Sequence, residues 1–431
     1  MWGEIARRSI WLSAGSAIGR LLPFVVLMML GRSLSSEDFA SASVGFAWTA
    51  VAASLTTAGL ANVTTQRLAL LPAPEQGAFV RRVVRMACLF SGGLLLAVLA
   101  VGPDAANIAF GRALDARIVW PALASGSLWS LVMLAVAICN GQHRPRRAAS
   151  MLGIGGALQG AGLALGYALG NGAYMVLWGA ALGNALALSW AIMCVRKQSS
   201  YGVPNAGSAT ATPSFPFGRS LAWSSFAAAS VMPITFAAGS LVSHSTDAAR
   251  QLAAFQALEQ LHQLAIYLPS VLSQALLPVL TVHFSTKPGE TSRRIIHASL
   301  LLAFAGSLLA AGLAWHPGWL HRLVGNPALT DPAATRAMLM NAGLSVALNL
   351  LGGGLLARGQ YARATLLNVG WAAMFLGLGW IWREDGAAGV QIARLCASWA
   401  LLIAASSAFW FGTPARRDHS SSTGASPSNP P

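Results

Sequence analysis

Long apolar runs alternate with short polar segments along the whole chain. The first runs from about Ser9 to Leu30 and ends in the polar turn Gly31-Arg32-Ser33-Leu34-Ser35-Ser36-Glu37-Asp38-Phe39. A second reaches about Val63 and closes on Thr64-Thr65-Gln66-Arg67. Further runs fall at approximately 83–101, 118–139, 148–169, 173–195, 220–243, 251–282, 295–315, 335–357, 364–382 and 387–411. Each is long enough to cross the hydrocarbon core as a helix. The pattern therefore predicts an all-α polytopic membrane protein with about twelve transmembrane helices. The eighth run is overlong and holds Pro269 and Pro278, which predicts a kink or an extension beyond the bilayer.

Composition agrees. Of 431 residues, 55% are hydrophobic and 10% charged, against about 25% charged in soluble proteins. The first run is too long for a cleaved signal peptide. A net charge of +15 raises the question of nucleic acid, but the basic residues sit in short loops and form no stripe, so no nucleic-acid partner is expected. Cys88, Cys139, Cys194 and Cys396 lie inside apolar runs at no metal-binding spacing. They read as small packing residues, and no metal or cofactor is expected. Catalytic signatures are missing from the sequence: there is no His-Glu-x-x-His, no Walker loop and no nucleophile elbow. The longest outer segments, about 102–117 and 316–334, are too short to house a glycosyl-transfer site. A transporter is expected, not an enzyme.

Charge sets the orientation. With the N-terminus inside, nineteen of the 28 lysines and arginines fall in inner segments and seven in outer ones. That bias predicts cytoplasmic N- and C-termini. The longest inner connection, 196–219, is rich in Ser, Pro, Gly and Thr and reads as a linker. It divides the chain into an N-terminal six-helix lobe, 1–195, and a C-terminal one, 220–411, followed by a polar tail, 412–431, expected to be disordered. The halves echo each other. Arg8-Ser9-Ile10-Trp11 resembles Arg219-Ser220-Leu221-Ala222-Trp223, with Pro23 and Pro233 following, and Asn140-Gly141-Gln142-His143-Arg144 resembles Arg358-Gly359-Gln360-Tyr361-Ala362-Arg363. Two parallel, pseudo-symmetric six-helix repeats are the expected arrangement. In the fifth span, Gly156, Gly160, Gly162, Gly166 and Gly170 form small-residue ladders that predict close helix packing.

The polar residues within spans are few. Arg20 lies near the middle of the first, sharing a face with Ser9, Ser13, Ser16 and Pro23 at helical spacing. A charge at the bilayer centre costs roughly 2.5–3.5 kcal/mol on insertion scales, so this face should border a bundle interior or a wet cavity. The alternative is a structural ion pair with Glu259. The eighth span carries Gln256, Gln260, Gln263, Tyr267, Ser270 and Gln274 as a stripe, with Glu259 and His262 on its edge. Asn341, Ser345 and Asn349 follow one another at four-residue spacing in the tenth span, and Gln391, Arg394 and Ser398 mark the twelfth. Arg394 lies in the outer third of its span, placed either to line the cavity or to snorkel outward. Isolated polar residues such as Gln159 and Asn184 read as helix-to-helix bonds. Together these faces predict a hydrated cavity between the halves.

The first hairpin also carries a family resemblance. A polar-faced helix, then Gly-Arg-x-Leu-x-x-x-Asp-Phe, then a helix ending in Gly-Leu-Ala and Arg67 (Gly59 to Arg67), resembles the Wzx-type polysaccharide-unit flippases of the multidrug/oligosaccharidyl-lipid/polysaccharide exporter superfamily. The resemblance implies a MATE-like fold with a V-shaped cavity between two lobes. It implies translocation of a polyprenyl-diphosphate-linked oligosaccharide across the bacterial inner membrane for surface polysaccharide synthesis. The implied partners are that lipid-linked substrate, membrane lipids, a polysaccharide polymerase and a chain-length regulator. Arginine pairs with phosphate oxygens as a fork, which makes Arg20 the leading head-group ligand, with Arg250 and Arg394 as further candidates. Gln256, Gln260, Gln263, Asn341 and Asn349 would line the cavity, and Glu259 with His262 are the candidates for ion coupling. Two alternatives stand beside this reading: a cation-coupled multidrug exporter of the same superfamily, and a lipid-linked peptidoglycan precursor flippase. The exporter would need an acid within an N-terminal span, whereas Glu4, Glu37, Asp38, Glu75, Asp104 and Asp115 all fall outside the apolar runs. The peptidoglycan-type relatives usually carry two more spans.

Overall fold

The computed structural model describes residues 2–34, 36–57, 59–101, 116–170, 172–199, 223, 234, 237–242, 244–245, 247–286, 288–315 and 331–411. The described elements are all helical. They are α1 (Trp2–Ser33), α2 (Ser36–Thr57), α3 (Leu60–Leu70), α4 (Ala73–Val101), α5 (Val119–Gly141), α6 (Pro145–Leu169), α7 (Ala173–Ser199), α8 (Ala248–Thr286), α9 (Pro288–Trp315), α10 (Pro332–Ala357), α11 (Tyr361–Ile381) and α12 (Gly386–Phe411), with short 3-10 turns at Ala116–Ile118 and Arg383–Asp385. Seven of the described helices are long and apolar enough to cross a membrane, and the bent pair α2–α3 makes an eighth span if counted as one. The protein is a multi-pass membrane protein. The expected seventh span, 220–243, and the tail, 412–431, lie largely or wholly outside the described residues. So does the expected linker, except that α7 continues to Ser199, past the anticipated boundary at 195.

Two helices differ from their expected form for readable reasons. The second apolar run is broken: α2 and α3 meet at 45°, around Gly59 at φ 72°, a left-handed conformation that glycine adopts without steric cost. The eighth run stays helical through both prolines for 39 residues. At 1.5 Å per residue that is about 58 Å, well beyond the roughly 30 Å hydrocarbon core, so the excess becomes extension and not a break in the helix.

Packing follows the small residues. α6 lies between α1 and α7. A Cβ added at Gly156 would come within 1.9 Å of the Gly19 carbonyl oxygen, and one at Gly162 within 2.1 Å of that of Gly179. The ladder expected in this span therefore serves two neighbours, one from each side, with the backbones nearly touching. Asn184 on α7 donates to the Ser125 carbonyl (3.1 Å) and hydroxyl (2.8 Å) on α5, a helix-to-helix bond as its sequence context implies. In the other half, α10 packs against α8, α9 and α12, and α11 against α12. Asp331 starts α10 by accepting from the amides of Ala333 (2.7 Å) and Ala334 (3.3 Å) ahead of Pro332, a proline-led capped start.

The halves repeat each other in backbone detail. After α5, the amide of His143 bonds Asn140 O (3.0 Å) and that of Arg144 bonds Cys139 O (2.8 Å). After α10, the amide of Gly359 bonds Leu356 O (2.8 Å) and that of Gln360 bonds Leu355 O (3.0 Å). The residues in left-handed conformation are His143 (φ 59°) and Gly359 (φ 72°), the cap that closes many helices. This aligns His143 with Gly359, so the Gly-Gln echo in sequence is two residues out of register. A second correspondence sits at the opposite helix ends. Asp38 accepts from the first amide of α7, Ala173 N, at 3.4 Å, and Gln251 accepts from Ala387 N at the start of α12, at 3.0 Å.

Candidate functional site

α1 presents three sides. At about 100° per residue, Trp11, Ile18, Leu22, Val25 and Met29 fall on one side, and all are exposed. That side is apolar and faces lipid. Gly15 and Gly19 turn toward α6. The third side carries Leu27, buried in a cluster with Phe255 and Leu258 of α8, Met338 of α10 and Val390 of α12. Arg20 lies in this third direction, two turns from Leu27, and is exposed. Its guanidinium thus leaves the helix opposite the lipid stripe, on the side where α1 meets α8. Ser16, one turn earlier, is buried.

The second half holds a buried charged network at one depth. Glu259, Asn341 and Arg394 lie eight to eleven residues into α8, α10 and α12, about 12–17 Å from those helix starts. Arg394 engages Glu259 with both nitrogens, Nη1 to Oε2 at 2.5 Å and Nη2 to Oε1 at 3.3 Å. Gln263 donates to Glu259 Oε1 at 2.7 Å. The Arg394 guanidinium also lies over Phe375, 5.7 Å from its centroid. Next to the pair, the Asn341 amide is 2.8 Å from Nε2 of His262. Gln391, one turn before Arg394, is wholly buried, and among the described residues neither of its amide atoms has a partner. A fork on a carboxylate is the strong form of ion pair. Here it fastens α8 to α12 inside the helix bundle.

Glu259 pairs with Arg394, not with Arg20. Arg394 is 3% exposed, so it turns inward and does not snorkel. Arg250 forms a surface pair with Asp247 at 3.9 Å, both more than half exposed, and stands apart from the buried network. Gln256 is buried, while Gln260 and Gln263 are half-buried. Asn349 donates to Ser345 O, and Ser345 to Asn341 O, each at 2.8 Å along α10. That part of the polar ladder therefore bonds back to its own helix. Sequence reading missed the partnership of Glu259 with Arg394 because the partners are 135 residues apart. It also missed Gln66. This buried side chain of α3 donates to Leu356 O (2.6 Å) and Ala357 O (3.3 Å) at the end of α10. A cluster of Leu60, Leu68, Leu134, Ile138 and Tyr361 closes the same region. Here Arg358 stacks over Phe409 (5.4 Å) and Phe284 (5.7 Å). Burial lowers its pKa, and the nearby Arg363 adds to that.

The described residues form a multi-span helical membrane bundle with a buried charged network between its helices. The sequence profile of a family described as "Polysaccharide biosynthesis protein" matches residues 5–283, and the chain belongs to that family. Among solved structures it is similar to a MATE crystallised in complex with MaL6, at 15% identity over 94% of this chain and 95% of that one, TM-score 0.74. It is also similar to a MOP superfamily transporter from Pyrococcus furiosus, whose reversed binding-pocket polarity has been taken to suggest a different function. That match is at 15% identity over 94% and 96% of the two chains, TM-score 0.73. A multidrug resistance MATE family transporter in an outward-facing conformation matches at 15% identity over 94% of both chains, TM-score 0.68. At this identity the likeness is one of fold. No curated protein matches the chain.

Proposed function

We propose that this transporter moves a polyprenyl-diphosphate-linked oligosaccharide from the cytoplasmic to the outer leaflet of a bacterial inner membrane. The substrate binds between two six-helix lobes, residues 1–195 and 220–411, joined by the cytoplasmic segment 196–219, with twelve spans in all and both termini inside. The observation that carries this reading is the direction of Arg20: a guanidinium exposed in mid-helix on the side of α1 opposite the lipid stripe. A fixed cation there suits a diphosphate, which accepts forked bonds from arginine, and it repels the cationic drugs that a multidrug exporter would carry. The lipid tail rides outside, between the lobes, and the half-buried side chains of Gln260 and Gln263 line the way for the sugar, while Gln256 is too deeply buried to do so. Glu259, held by Arg394 and Gln263, is placed to hold α8 on α12, and coupling through Glu259 and His262 would require that pair to open. Gene deletion tests the proposal. Loss of surface polymer, with lipid-linked oligosaccharide left facing the cytoplasm, is the expected result. Intact polymer with new sensitivity to cationic drugs would give the function to the exporter reading.

A further inference from the structure

The two repeats share a turn but not its charge. The turns after α5 and α10 have the same hydrogen bonds and the same left-handed residue, and α6 and α11 both start two residues beyond that residue. In this alignment Arg144 corresponds to Gln360, Arg146 to Ala362 and Arg147 to Arg363. The backbone of this turn therefore needs neither Arg144 nor Arg146, since the same turn forms in the second half without them.

The arginines instead border a cavity. A hollow of about 440 Å³ is lined by Trp11, His143, Arg144, Pro145, Arg146 and Arg147. Among the described residues no carboxylate lines it. All three arginines are exposed, and three guanidinium groups within four residues repel one another unless an anion sits among them. Arg146 lies over the Trp11 ring at 5.1 Å, and Arg147 reaches Cys194 O on α7 at 3.5 Å. The walls therefore come from the first half of α1 and from the α5–α6 turn with the start of α6, with Arg147 tied to the end of α7.

What enters this hollow is set by what adjoins it. Trp11 lies on the exposed apolar side of α1, which continues through Ile18, Leu22, Val25 and Met29. From Trp11 to Met29 that stripe rises about 27 Å, close to the thickness of the hydrocarbon core. A cationic hollow at the head of a lipid-facing stripe, with an amphipathic indole at the junction, matches a phospholipid: phosphate above, acyl chain below. We propose that this hollow binds the phosphate headgroup of an anionic phospholipid, with an acyl chain laid along the outer side of α1. The site is on the lipid side of α1, away from Arg20, and does not depend on the transport reading.

The test uses the full-length protein, purified in mild detergent, delipidated and titrated with phosphatidylglycerol or phosphatidylethanolamine. Retained lipid is read by native mass spectrometry. Phosphatidylglycerol should be retained in preference to phosphatidylethanolamine. The double variant Arg144→Gln with Arg146→Ala takes the residues of the second repeat, so the turn should still form. It should weaken phosphatidylglycerol retention about tenfold or more, with unchanged thermal unfolding in lipid-free detergent. Arg144→Lys with Arg146→Lys, which keeps the charge, should retain most of the binding. Arg81→Gln with Arg82→Gln, at a separate basic hollow, should leave it unchanged. Equal retention of the two lipids, or a Gln/Ala variant that binds like the parent, would overturn the proposal. So would full displacement by millimolar inorganic phosphate, which would mark a site for free anions. Retention of polyprenyl diphosphate with no retention of phosphatidylglycerol would also overturn it, by assigning the hollow to the transported lipid.

Discussion

Arg394 and Glu259 show what a buried charge demands. Both are within a few per cent of full burial, so neither has water to fall back on, and each satisfies the other through two bonds. Removing one partner strands the other, at a cost of about 3–5 kcal/mol, whereas replacing both with apolar groups is often neutral. Glu259→Gln and Arg394→Met should each lower the level of inserted protein and its melting temperature in detergent. Glu259→Leu combined with Arg394→Met should restore much of the stability. A stable Arg394→Met single variant would contradict the structural importance of the pair. At this scale the sequence was half legible. It marked Arg20, Glu259, His262 and Arg394 as the ionisable groups within spans. With one acid and two arginines among them, it could not choose the pair. The choice is made by the packing of α8 on α12, which no local pattern encodes. The direction of Arg20 was legible, because its spacing from Ser13, Ser16 and Pro23 is a property of one helix.

Elements were more legible than their joints. Apolar runs located the helices, and the glycine ladder of α6 announced close packing, although it did not reveal that its partners are Gly19 and Gly179. The broken second span was hidden, because a single glycine in a left-handed conformation looks like any glycine in an apolar run. The repeat was visible but misaligned: Gly141 and Gly359 look equivalent in sequence, while the backbone equates His143 with Gly359. The turn after α10 relies on that glycine. A side chain on a residue with φ near 72° is strained, so Gly359→Ala should destabilise the protein by about 1 kcal/mol, even though nothing crowds the position. Gly370→Ala, within α11 and equally uncrowded, should be neutral or slightly stabilising. Thermal unfolding of the two variants in detergent checks this, and equal effects would refute it.

Across the molecule, the two halves meet at two levels. Leu27 and Phe39 join the cluster of α8, α10 and α12, and Gln66 ties α3 to the end of α10. In the proposed transport cycle, one of these contacts opens while the other holds. Gln66 makes two hydrogen bonds, together about 1–3 kcal/mol, enough to bias such an equilibrium. Asn62, one turn earlier on α3, borders a cavity of about 150 Å³ between α3 and α10–α11. In a cysteine-free background carrying Asn62→Cys, Gln66→Leu should speed labelling by a membrane-impermeant thiol reagent added from the α3–α10 end several-fold. An unchanged rate would remove Gln66 from the closure.

Arg20 is proposed to hold the diphosphate of a lipid-linked sugar. Glu259 is already held by Arg394, so losing Arg20 leaves that buried acid paired. The decisive measurement is surface polymer together with membrane-inserted protein, in cells carrying Arg20→Ala or Arg20→Lys at normal expression. Both variants should insert normally, with no polymer from alanine and partial polymer from lysine, which keeps the charge and loses the fork. Full polymer from Arg20→Ala at normal insertion would contradict this role.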